Sequence, residues 1–301
     1  MVFDGPDAAP AGAAELAVSA ASGGLEALRE LFVECLDDRR LETTTPPEAL
    51  AFLELLPSLQ ALRTGHKLRA LPAALTALTR LDVASATLDA AGWAALAALP
   101  ALTDLCVRWT PPEDGGGPGA AVLPGVTSLR LSPFGEDGGR YALRHVAAAF
   151  PNAVKVEMLS NAFSDLAPGA GRWRGVRSLR LVNMLEEEAD AGWPGLLTLL
   201  REVGGGLRQL VAYWLKGEGR QVVDAGSLAE ALRLCPALEE LTLSCGAPPL
   251  ADGFAAAPRG HPLKALRLYC RAAHRRNGEE AVAAARAALP GLRDVQLKVR
   301  S

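Results

Sequence analysis

Apolar and polar positions along this chain recur in a nine-residue phrase: apolar, Pro, x, apolar, x, x, apolar, x, apolar. Clear copies occupy 99–107, 123–131, 235–243 and 289–297, and looser ones begin at Leu25, Leu56, Leu75, Phe150, Trp173, Gly204 and Gly260. Six of the eleven copies carry Pro at the second place, namely Pro57, Pro100, Pro124, Pro151, Pro236 and Pro290. Chance would put about 0.8 Pro there, so the phrase is an internal repeat with a spacing of about 26 residues. Its last three places alternate with the period of a strand, which turns two side chains inward and one outward. Leu105 and Val107 are therefore expected inside and Cys106 outside; Leu241 and Leu243 inside and Thr242 outside.

The spacing leaves room for one short strand, a turn and a helix per unit. Ten or eleven short parallel strands are expected, including 105–107, 129–131, 179–181, 241–243, 266–268 and 295–297. The 3.6-residue period predicts helices at 46–56, 89–99, 141–150, 191–203, 227–235 and 278–289. Pro after many of these segments stops the helix and turns the chain into the next strand. Gly- and Pro-rich inserts at 111–119, 133–139, 168–171 and 246–260 read as loops at unit edges, where added length costs little.

The unit at 78–99 reads Leu78-x-x-Leu81-x-Val83-x-x-Ala86-x-Leu88, then Gly92, Leu96 and Leu99. It resembles the ribonuclease-inhibitor type of leucine-rich repeat, with Ala86 where that family usually has Asn or Cys. The run 235–245 is similar to the cysteine-containing type found in F-box proteins, with its second Cys, Cys245, one place early. The resemblance implies an α/β fold: a leucine-rich-repeat solenoid, a curved horseshoe with short parallel strands on the concave side and helices and loops on the convex side. Residues 1–24 then form an N-terminal helical cap or flexible lead, and 25–301 a repeat domain of about eleven irregular units. Most units lack the turn Asn, so backbone groups at the turns need other partners.

The implied function is an intracellular protein–protein interaction scaffold that binds a partner protein on its concave face. Two alternatives accompany it: a substrate-recognition subunit of an F-box-type ubiquitin ligase, and a structural component of a cilium or the cytoskeleton. The ligase reading is short of space, because repeats begin by Leu25 and leave 24 residues for an F-box. Chain end 295–299 reads as an uncapped edge strand, which invites self-association or marks a truncated gene model.

Composition narrows the partners. Net charge is −3, so nothing draws the whole molecule toward nucleic acid or a membrane. Charge is nevertheless polarised: residues 1–60 hold eleven acidic and three basic side chains, and 259–301 ten basic and three acidic ones. Each end is read as a solvated face or, more sharply, as a docking surface. The start Met1-Val2-Phe3-Asp4 has no basic region, and the five Cys are scattered, which points to a reducing, cytoplasmic setting, with nucleus and cilium as alternatives.

Candidate chemistry is sparse. Gly115-Gly116-Gly117-Pro118-Gly119 lacks the following Lys-Ser/Thr of a phosphate loop. His66, His145, His261 and His274 lie far apart and read as surface or packing residues. No metal, cofactor or catalytic set is expected, and the chain reads as a non-enzyme. Cys245 and Cys270 fall at equivalent places of consecutive units and read as two reduced thiols packed at a turn.

Outward strand positions carry the binding expectation. One row should contain Arg130, Glu157 and Arg180, alternating in sign; the next should contain Arg108, Leu159, Val182, Tyr213 and Tyr269. Leu159, Val182 and Tyr213 would form an exposed apolar stripe beside arginines, the make-up of an interaction hot spot. The candidate set is thus Arg108, Arg130, Leu159, Arg180, Val182, Tyr213 and Tyr269.

Overall fold

A computed structural model describes residues 27–33, 52–64, 71–72, 74–88, 90–108, 121–132, 143–160, 173–183, 192–214, 223–245 and 250–300. The phrase acts first through its turn. The carbonyl of its first residue accepts a hydrogen bond from the amide of its fourth, as in Leu56–Leu59, Leu99–Leu102, Leu123–Val126, Cys235–Leu238 and Leu289–Leu292. The second place of such a turn favours a fixed φ near −65° and has no use for its own N–H. Proline supplies both properties, which explains its recurrence there.

A strand follows each turn. These are β1 (Glu30–Val33), β2 (Ala61–Thr64), β3 (Arg80–Thr87), β4 (Asp104–Arg108), β5 (Ser128–Ser132), β6 (Lys155–Ser160), β7 (Ser178–Asn183), β8 (Gln209–Trp214), β9 (Glu240–Cys245), β10 (Ala265–Arg271) and β11 (Asp294–Arg300). They enter one eleven-stranded sheet in chain order, and the described pairings are parallel. Each expected strand lies within one of these. The residue just before a strand offers its carbonyl to two successive amides of the next unit: Thr79 to Thr103 and Asp104, Arg208 to Glu239 and Glu240, Lys264 to Arg293 and Asp294. This shared-acceptor ladder joins one unit to the next, and side chains add to it: Thr103 Oγ1 donates to the Thr79 carbonyl at 3.3 Å and Asn152 Nδ2 to the Pro124 carbonyl at 3.0 Å.

The chain divides into two compact units, Met1–Glu136 with Ala149–Asn152, and Asp137–Ala148 with Ala153–Ser301. In the first, the phrase's apolar places fill the core: Leu75, Leu78, Leu81 and Val83, then Leu102, Leu105 and Val107, then Leu123, Val126, Leu129 and Leu131 are all buried. Helix α1 (Ala90–Ala97) adds Trp93, whose ring lies 6.2 Å from Phe150. Of the helix expected at 46–56, residues 52–55 form a single 3₁₀ turn with Phe52 and Leu53 buried, and 46–51 lie outside the described residues. The 1–24 segment and the inserts at 111–119, 133–139 and 168–171 also lie outside them.

In the second unit the same places hold Trp173, Val176, Leu179 and Leu181, then Cys235, Leu238, Leu241 and Leu243. Helices α3 (Gly192–Val203), α4 (Ala225–Leu234) and α6 (Arg275–Ala288) occupy the expected stretches, as does α2 (Leu143–Ala149). Two boundaries move for local reasons. Helix α4 starts at Ala225 because Asp224 is its cap, accepting from the Ser227 amide at 2.8 Å, so Ser227 is an interior residue of the first turn. The insert 246–260, expected to be loop, contains α5 (Ala251–Ala255), which buries Phe254 against the core.

Two copies without an apolar first residue have separate causes, close packing in one and backbone conformation in the other. At Gly204 an added Cβ would stand 2.6 Å from the Leu234 carbonyl oxygen and 3.0 Å from Cys235 Sγ, so only glycine lets the next unit approach. At Gly260 the backbone takes φ +75°, a left-handed turn. His261 then fills the core in place of the missing side chain, its Nε2 3.1 Å from the Cys235 carbonyl oxygen.

Candidate interaction face

Side chains between the inward leucines form the outward face of each strand, and the parallel register aligns them into rows. In the first unit Phe32, Arg63, Asp82, Cys106 and Arg130 are successive register partners. In the second, Glu157, Arg180, Val211, Thr242, Arg267 and Gln296 follow one another, with a parallel row of Leu159, Val182 and Tyr213. Ser244, Tyr269 and Lys298 make a further row. The register is the one that the strand alternation predicts, because a slip of one residue would exchange the two faces.

On the first unit, the Arg63 guanidinium lies 4.9 Å over the Phe32 ring and 3.6 Å from the Asp82 carboxylate. Arg130 is exposed and Arg108 half-buried. Cys106, between Asp82 and Arg130, is only 6% exposed although it faces outward. Burial first, and the Asp82 carboxylate second, push its thiol up to about 12, with Arg130 opposing. Thr242 is likewise 6% exposed. Short side chains in these rows are shielded by longer neighbours only about 4.8 Å away, so facing outward does not make them accessible.

Val182 is still less accessible. The expectation of an exposed apolar stripe is corrected there: Val182 is 2% exposed and presents no free surface. Leu159 and Tyr213 are its register partners on either side, and their side chains lie outside the described residues.

Polar order on the second unit runs across the strands. Arg180 stands 3.5 Å from Glu157. Ser178 Oγ donates to Gln209 Oε1 at 2.6 Å, and Gln209 Nε2 donates to Glu240 Oε2 at 2.9 Å. Arg267 completes the line between Glu240 at 3.9 Å and Asp294 at 3.6 Å. Just before the strands, Glu239 sits between Lys264 at 2.6 Å and Arg208 at 3.8 Å, and the Lys264 ammonium holds its carboxyl below the usual range. Such solvent-facing pairs add little stability individually; they fix which groups are already matched and which are available.

Toward the C-terminal ends of β10 and β11 the described contacts change character. The Lys298 ammonium lies 5.3 Å over the Tyr269 ring and 3.5 Å from its hydroxyl, a cation–π contact. Arg271, two residues after Tyr269, is exposed and is the register partner of Arg300. Arg271 and Lys298 are absent from the sequence-derived candidate set. The signal for them was the alternation itself, since positions 269 and 271 share one face and 298 is the register partner of 269.

Among the described residues no three His, Cys, Asp or Glu side chains come together as a metal site would require. Cys235 is buried and its thiol pushed up to about 12 by that burial. Cys245 and Cys270 are register partners, and Cys270 is a buried free thiol raised mainly by desolvation and then by Glu279. Among the described residues no helix is long and apolar enough to cross a membrane.

Short parallel strands entering one sheet in chain order, behind a turn that recurs from unit to unit, define an α/β repeat fold of the leucine-rich-repeat kind. No family model matches the sequence, and no curated protein matches it. Among solved structures, the chain is similar to the leucine-rich repeat-containing protein LegL7 from Legionella pneumophila. That likeness has a TM-score of 0.48 and 13% identity, and covers 90% of this chain and 91% of that one.

Proposed function

We propose that this protein is an interaction scaffold that captures a partner protein on the outward face of its strands. The observation that supports this reading most is the row order: aligned register sets the outward residues of successive strands in rows, Glu157, Arg180 and Val211 beside Leu159, Val182 and Tyr213, with Ser244, Tyr269 and Lys298 further along. Arg180, Tyr213 and Tyr269 form the contact set on the second unit, with Arg108 and Arg130 as the corresponding groups of the first. Rigid aromatic and arginine side chains are the residue types that dominate protein-binding hot spots. Val182 acts by holding its row in place. The reading as a non-enzyme goes with it.

The test is quantitative capture of the main bound protein by parent and variant. Tyr213→Ala should weaken capture by about 1–3 kcal/mol, the range of an aromatic anchor. Arg130→Ala should cost less, the usual outcome for an exposed charge. Undiminished capture by a stably folded Tyr213→Ala protein would reject the assignment of Tyr213.

A further inference from the structure

The outward face of β9–β11 changes character along the strands. At its start, carboxylates and cations are matched: Glu240 and Asp294 flank Arg267 at 3.9 and 3.6 Å. Further along, the face carries Ser244, Tyr269, Arg271 and Lys298, with no acidic residue among them. The acidic residues of 259–301 are Glu279, Glu280 and Asp294. Each already faces an arginine: Glu279 with Arg275 at 2.8 Å, Glu280 with Arg276 at 3.0 Å, and Asp294 with Arg267. Arg271 is exposed and belongs to the same outward face as Tyr269, two residues before it.

Resting on the scaffold reading above and naming the chemistry of its partner, we propose that the C-terminal half of the β9–β11 outward face docks a carboxylate-rich peptide segment of a partner protein. Arg271 and Lys298 supply the charge, and the Tyr269 ring gives the peptide backbone a flat platform beside them. A short peptide suits the site better than a polyanion. Nucleic acid carries one charge per about 1.7 Å of duplex, and extending it along this face would set it against Glu240, Asp294 and Glu239. A peptide that ends its acidic run after a few residues avoids them.

The experiment measures anisotropy of a labelled peptide of alternating Glu and Gly on the full chain at low salt. A Gln-for-Glu counterpart, a single-stranded oligothymidylate and phosphatidylserine vesicles serve as the other probes. The acidic peptide should bind, the Gln peptide should not, and added salt should weaken binding. The double variant R271E/K298E should lose about tenfold or more, whereas R259E/R286E, with the same net charge change off the strand face, should bind like the parent. R271Q/K298Q replaces the reversal variant if the latter fails to fold, and should also weaken binding. Equal binding of the Gln peptide, preference for oligothymidylate or vesicles, or equal loss in R259E/R286E would overturn the proposal. Any of these with capture still dependent on Tyr213 would leave the scaffold reading standing, so the two failures are distinguishable.

Discussion

At the residue scale, substitutions in the phrase follow packing needs that composition does not reveal. His261 takes the place of an apolar side chain, is buried, and has its imidazole pKa lowered chiefly by desolvation, with the Cys235 and Leu232 carbonyls opposing. The folded state therefore favours the neutral ring. Its contribution to stability is full above the unfolded histidine value of about 6.5 and is lost as pH falls through that value toward the lower folded one. Chemical denaturation between pH 7.5 and 5 should show this decline, and His261→Gln should flatten it; an unchanged slope in the variant would assign the decline to other groups. Gly204 answers a different need, the approach of Leu234 and Cys235. Gly204→Ala should lower stability by about 1–3 kcal/mol, the usual cost of overpacking, with a matching loss in melting temperature. The sequence left His261 as a surface or packing residue, of which the structure selects packing, and it gave no sign of the role of Gly204, which looked like a weak first residue. Burial and close approach depend on the neighbouring unit, which a local pattern does not display.

Elements were far more legible, because the phrase encodes turn and strand together. The Pro, the i-to-i+3 turn and the apolar-x-apolar ending act on adjacent residues, so strands such as 241–243 and 295–297 follow from local chemistry. Helix ends were less legible where the cap competes with a similar residue nearby. Ser227 resembles a cap, but Asp224 makes the bond and Ser227 Oγ donates back to it at 2.7 Å. The Ser227 amide and hydroxyl hold the Asp224 carboxyl below its usual range. Asp224→Ala should cost about 0.5–2 kcal/mol, read from denaturation midpoints. The contribution of Asp224 is present above the ordinary carboxylate range and is lost as pH falls through its lowered folded value. Helix α5 escaped notice because five residues within a Gly- and Pro-rich stretch give too short a period to register. Row order on the outward face was readable from alternation, but accessibility was not. Val182 and Cys106 face outward and are nonetheless covered, since accessibility depends on parts of the chain tens of residues away in sequence.

At the scale of the whole molecule, cohesion comes from repeated turns, shared-acceptor carbonyls and leucine layers, with Cys106, Cys235 and Cys270 as buried free thiols. Reductant and chelator should each leave the melting temperature unchanged, as measured by calorimetry with and without the reagent; a drop of several degrees would place a covalent or metal link among the cysteines. Charge is organised on the same scale, matched pairs lying at the strand starts of β9–β11 and cations toward their ends. On the scaffold reading the strand face, and not the helix side, recognises a protein partner. Its most direct test compares capture of that partner by Arg180→Glu, on the outward row of β7, with capture by Arg286→Glu, in the last turn of α6. Both residues are exposed and the two changes are identical in charge. Loss of capture in Arg180→Glu with parental capture in Arg286→Glu, both variants melting like the parent, is the predicted result; the reverse pattern would contradict the account.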